Sequence, residues 1–109
     1  MIHKMKLVDF AFNKIKNKEK DIEVRLNDEK RRLIKIGDII EFTNIDTLEI
    51  TKTKVINLYK FDTFEELFNK FEHKRLGFKE SDNASIMDKF YTKEEQEKYG
   101  VIGIEIKLI

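Results

Sequence analysis

Apolar residues fall at every second position in Ile22, Val24 and Leu26, the period of a β-strand. That spacing sends Asp21, Glu23, Arg25 and Asn27 to the opposite face, with Lys20 at the entrance. The polar face is therefore either a solvated surface or the wall of a site. Before it, a short alternating start through Met5 and Leu7 leads to a helix on which Ala11, Phe12 and Ile15 share a face. Asp9 stands at the N-cap position of that helix, and Asn17, a residue tolerant of left-handed backbone, closes it.

The strand turns through NDEKRR and is expected to resume at Leu33, Ile34 and Ile36, up to the Gly37-Asp38 turn. DIIEFTN predicts another strand with Ile40 and Phe42 on one face. Residues 48–61 read as a long strand whose apolar parity shifts between Ile50 and Val55, the mark of a bulge or bend. In TFEELFNKF, Phe64, Leu67, Phe68 and Phe71 recur at i, i+3, i+4 and i+7, and Thr63 and Glu66 have capping-box spacing. Gly77 ends an extension of this helix, and residues 79–89 read as a loop. Thr92 and Glu95 repeat the capping-box spacing for a helix closed by Gly100, and Ile102, Ile104, Ile106 and Leu108 alternate in a final strand. Strands with a few inserted helices predict an α+β fold: a small mixed or antiparallel β-barrel with two or three short helices.

At 109 residues the chain, residues 1–109, reads as one domain without linker or repeat. Cysteine is absent, which excludes disulfides and thiolate metal sites and favours a reducing cytoplasm. No apolar run reaches membrane-spanning length, so no membrane partner is expected. The net charge of +1 hides an asymmetry: residues 1–36 hold eleven Lys plus Arg against six Asp plus Glu, and residues 37–109 hold eleven against fifteen. The basic first third can form a footprint for phosphates.

Several chemistries are excluded by inventory. His3 and His73 lack metal-ligand spacing, four scattered glycines form no phosphate loop, and Ser81 and Ser85 sit in no nucleophile elbow. No metal or cofactor is implied. What remains is the cluster of Lys20, Glu23 and Arg25 on one extended segment. In a cleft, an Arg fork can hold a phosphate or a nucleobase carbonyl and a Lys beside it can act as a base; on an open surface the same residues are a solvated ion pair.

The segment NKEKDIEVR, residues 17–25, is similar to the G-x-K-x-x-x-x-R signature of the ASCH domain family, which commonly has a glutamate two places before the arginine. KIGDIIEF and the closing EEQEKYGVIGIEIKLI extend the resemblance over nearly the whole chain. It implies a small PUA-like barrel related to an RNA-binding fold, with Lys20 and Arg25 at signature positions and Glu23 as their partner. The motif would face a cleft between barrel and helices, and Asn17 would replace the signature glycine.

The resemblance implies a domain that binds RNA or a modified nucleoside in a basic cleft lined by Lys20, Arg25, Lys30 and Arg31, with Tyr91 or Tyr99 available to stack on a base. A metal-independent hydrolase is the alternative, either a ribonuclease or an amidohydrolase on an acylated nucleoside. One bacterial branch that hydrolyses N4-acetylcytidine carries a motif resembling K-T-I-T-I-R. Here the register reads K-D-I-E-V-R, so Glu23 replaces the hydroxyl and would serve as general base beside Lys20, with Glu72 or Glu80 completing the site. A structural or protein-interaction domain is a third reading. Oligomeric state is not legible.

Overall fold

Five strands and four α-helices build the protein in the computed structural model, which describes residues 1–109. The strands are β1 (Ile2–Leu7), β2 (Ile22–Leu26), β3 (Ile39–Asn44), β4 (Ile50–Phe61) and β5 (Val101–Leu108). They form one sheet in the order β1-β3-β4-β5-β2, with β1 and β3 parallel and the other pairs antiparallel. The sheet curls into a half-barrel whose two edges are β1 and β2. Its helices are α1 (Asp9–Lys16), α2 (Phe64–Lys70), α3 (His73–Leu76) and α4 (Lys93–Tyr99). This is the mixed α+β architecture expected from the pattern, with more helices than the two or three anticipated.

Strand β5 is buried on both sides. Ile102, Ile104 and Ile106 join Phe12, Phe42 and Ile40 in the core inside the curl, while Val101 faces a second core with Ile22, Val24, Phe64 and Leu67 beneath the helices. Gly103 lets α2 approach, since a Cβ there would meet Ile22 Cγ2 at 3.2 Å and Leu67 Cδ1 at 3.5 Å. The parity shift in β4 is a register irregularity between Val55 and Asn57, which turns Ile56 outward. Both predicted capping residues act. Thr63 accepts from the Glu66 amide at 3.2 Å, and at α4 Thr92 and Glu95 form the full reciprocal box.

Local chemistry overrides the pattern at four places. No strand forms at residues 33–36: Asp28 Oδ1 accepts from the Arg31 amide at 3.1 Å and starts a 3-10 turn at Arg31–Leu33, burying Ile34 alone. The α1 N-cap is Val8; Asp9 lies inside the first turn, where its carboxylate accepts from Asn44 Nδ2 at 2.8 Å. The chain is extended at Phe71, so α2 stops there and α3 is a separate turn with left-handed Gly77 at its end. Residues 84–89, expected as loop, form a 3-10 turn that Asn83 caps through the Ser85 amide at 3.0 Å.

Candidate functional site

Strand β2 pairs with β5 so that Glu23 lies opposite Ile104 and Arg25 opposite Ile102. Alternation along β2 holds, yet neither face is open: Ile22 and Val24 pack under the helices, and Glu23 points into the half-barrel at 2% exposure. A lone carboxylate there would cost several kcal/mol, on the order of what breaking a buried pair costs. Two cations offset that. Lys20 Nζ lies 2.8 Å from Glu23 Oε1, and Arg25 Nε donates to Oε2 at 2.7 Å. Burial opposes ionisation of Glu23, but the charges of Lys20 and Arg25 and their hydrogen bonds outweigh it and hold its pKa at about 2.

Lys20 is itself 7% exposed. Its stem passes over Gly77, whose φ of +85° suits glycine and where an added Cβ would lie 2.6 Å from Lys20 Cδ. The neighbouring Asp21 accepts from Arg75 Nε at 2.9 Å and from Arg75 Nη2 at 3.2 Å, and Arg75 Nη2 also reaches Glu105 at 3.3 Å. These contacts tie α3 to Asp21, next to Lys20, and to β5. Lys20 also lines a cavity of about 290 Å³ with Lys18, Asp21, Thr53 and Ile106.

Arg25 lies at the other end of the triad. Its Nη2 donates at 3.1 Å to the Lys6 carbonyl on β1, so the side chain spans the seam between the two sheet edges. Burial opposes its charge, and Glu23 outweighs that, aided by Tyr91 and Asp28 close by, so its pKa is raised. Tyr91 is half-buried and stacks on Phe64 with ring centroids 5.8 Å apart. Arg31 reaches Asp28 through Nη1 at 3.5 Å, while its Nε is buried without a hydrogen-bond partner.

Lys20, Glu23 and Arg25 are thus in direct contact, Tyr91 is near enough to influence the charge of Arg25, and Arg31 is linked through Asp28. The other expected residues lie apart. Tyr99 donates to Glu29 at 3.1 Å and its ring sits beside Arg32 and Lys98. Lys30 is exposed and makes no ion pair. Glu72 and Glu80 are exposed and pair with neither Lys20 nor Arg25. The general-base role expected of Glu23 does not suit its geometry, because both oxygens accept from cations and a carboxylate held at about 2 is a weak proton acceptor near neutral pH. Glu23 instead anchors the two cations.

Asn17 does not take the left-handed conformation expected of it (φ −85°); Lys18 does, at φ +64°. In G-x-K the glycine precedes the lysine by two places, so its position here is Lys18 and not Asn17 as expected, and it is Lys18 that is left-handed. Gly77, Arg75 and the Lys6 carbonyl escaped the sequence reading because they approach the motif from distant elements. Only the left-handed preference of a Gly after the HKRL turn hinted at one of them.

A model of the ASCH domain family matches residues 5–109 of the chain. Among solved structures, the crystal structure of hypothetical protein PH0355 is similar at 34% identity and a TM-score of 0.86, covering 100% of both chains. The solution NMR structure of Protein PF0455 from Pyrococcus furiosus is similar at 32% identity and a TM-score of 0.78, covering 100% of this chain and 98% of that one. Among curated proteins none matches the chain.

Proposed function

Because the chain belongs to the ASCH domain family, whose PUA-like fold is an RNA-binding one, we propose that it binds single-stranded RNA or a single nucleoside at the seam around Lys20, Glu23 and Arg25. One observation carries this reading: two cations share a single buried carboxylate, at 2.8 and 2.7 Å, leaving one positive charge in excess at a rigid, partly desolvated place. In such a setting a guanidinium recognises a carbonyl or phosphate oxygen more strongly than on a wetted surface. The buried, unpartnered Arg31 Nε is a second donor suited to the same acceptor chemistry, and the half-buried Tyr91 is an aromatic residue in the same neighbourhood.

The arrangement favours binding over turnover. Hydrolysis needs a group that accepts a proton near neutral pH, and Glu23 is occupied as a counter-ion. The charge on Lys20 is likewise engaged. Binding needs only that the donors be held in place, and the Gly77 contact and the Arg75 bridges do that.

Titration of fluorescently labelled short single-stranded RNA at about 50 and about 200 mM salt tests the proposal. Saturable binding that weakens at the higher salt is expected. Arg25→Gln should weaken it about tenfold or more, the scale of one charge-assisted contact, whereas Lys30→Gln at an exposed position should change it little. Absence of saturation, or equal affinity for parent and Arg25→Gln, removes the reading.

A further inference from the structure

The Lys20 end of the triad opens on a feature that nucleobase recognition alone does not use. The cavity of about 290 Å³ is close to the lower bound of ligand sites, roughly 300 Å³, and combines apolar walls from Ile15, Ile106 and Leu108 with Lys18, Lys20 and Lys107. Its one carboxylate, Asp21, is already bound by Arg75. Lys18 and Lys107 form no ion pair. Positive charge around the cavity is therefore in excess.

One feature shows that this excess carries a cost. Lys107 is the direct cross-strand partner of Lys54 in the β4–β5 ladder, and like charges so placed repel. Lys54 also lacks an ion pair. An anion in the cavity, which Lys107 lines, would relieve that repulsion.

We propose that this cavity takes a phosphate group, so that the ligand is a nucleotide or a phosphate-bearing RNA end rather than an uncharged nucleoside. The inference rests on the nucleoside-binding reading above and adds the chemical class. The nucleobase end then meets Arg25 and Tyr91, and the phosphate meets Lys18, Lys20 and Lys107. Glu23 lies between the two ends, bonded to Lys20 on one side and Arg25 on the other.

The test compares the four common ribonucleosides, their 5′- and 3′-monophosphates and inorganic phosphate, by calorimetry and by amide shifts of residues 18–21 and 106–108. One class of monophosphate is expected to bind about tenfold or more tightly than its nucleoside, with shifts at those amides and a steeper dependence on salt. In the double variant Lys18→Gly, Lys107→Gln the ratio of monophosphate to nucleoside affinity should fall toward one. The glycine removes backbone strain, so loss of fold is not expected, and a circular-dichroism melt checks it. Equal affinity for nucleoside and monophosphate in the parent overturns the phosphate site and leaves nucleoside binding standing. Shifts with inorganic phosphate but none with any nucleoside or nucleotide support the site and overturn the nucleoside reading. Silence from every probe overturns both.

Discussion

Glu23→Gln is expected to destabilise the protein by about 3–5 kcal/mol, the cost of leaving buried charge without its partner. The substitution keeps the shape of the side chain, so packing is nearly unchanged. What it removes is the anion between Lys20 and Arg25, both largely buried. A urea or guanidinium midpoint measures the loss, and a change below about 1 kcal/mol would mean that the triad is effectively exposed.

The same residue sets a pH dependence. Its carboxyl falls from an ordinary value of 4.5 to about 2 on folding, so it contributes stability that is present above pH 4.5 and lost as pH falls through 2. A depression of that size corresponds to about 3 kcal/mol. Between pH 5 and 2 the parent should lose more stability than Glu23→Gln, and by about that amount. Parallel profiles would contradict the assignment.

Gly77→Ala is expected to cost about 2–4 kcal/mol, from a left-handed residue gaining a Cβ and from overpacking against Lys20. The new Cβ would lie 2.6 Å from Lys20 Cδ, in the middle of a stem whose tip is held by Glu23. Gly37→Ala is the matched control. Its φ is +95° and nothing lies within 4 Å of the added Cβ, so it reports backbone strain alone, about 1–2 kcal/mol. The excess at Gly77 measures its contact with Lys20. Gly77→Ala should also weaken RNA binding, because Lys20 must shift; equal effects of the two variants on stability and binding would dissociate Gly77 from the site.

The legible parts of the fold were those that local spacing determines. The alternation in β2 and β5, the apolar face of α2 and the capping boxes at Thr63 and Thr92 need only neighbours within a few positions. The parity shift in β4 was likewise visible, though the irregularity falls slightly later. At residues 31–36 the apolar spacing was real but the Asp28 carboxylate captured the Arg31 amide, a side-chain interaction that a two-residue period does not register. Helix α2 stopped short because Phe71 is extended, and its ring packs edge-on to Tyr59 at 4.9 Å between centroids.

For the site, alternation correctly separated Ile22 and Val24 from Glu23 and Arg25, but it could not say what covers the polar side. That depends on which strands form the sheet edges. Because β1 and β2 are those edges, the Lys6 carbonyl comes within reach of Arg25 and the polar side turns inward. Lys30 was included as a basic residue near in sequence and Tyr99 as an aromatic residue able to stack on a base, but Lys30 is solvated and Tyr99 is engaged with Glu29. Tyr91 is the tyrosine near enough to influence the charge of Arg25, though its ring stacks on Phe64.

The central claim is that the inward-facing cations of β2 are what a nucleic-acid ligand touches, and the side-chain NMR signals of Arg25 Nε–H and Lys20 Nζ report on it most directly. During titration with single-stranded RNA or its nucleotides both signals should move in a saturable way, with the same midpoint. Binding that leaves both signals in place while shifting residues of the groove formed by Phe68, Asn69 and Lys93 would locate the ligand elsewhere and contradict the account.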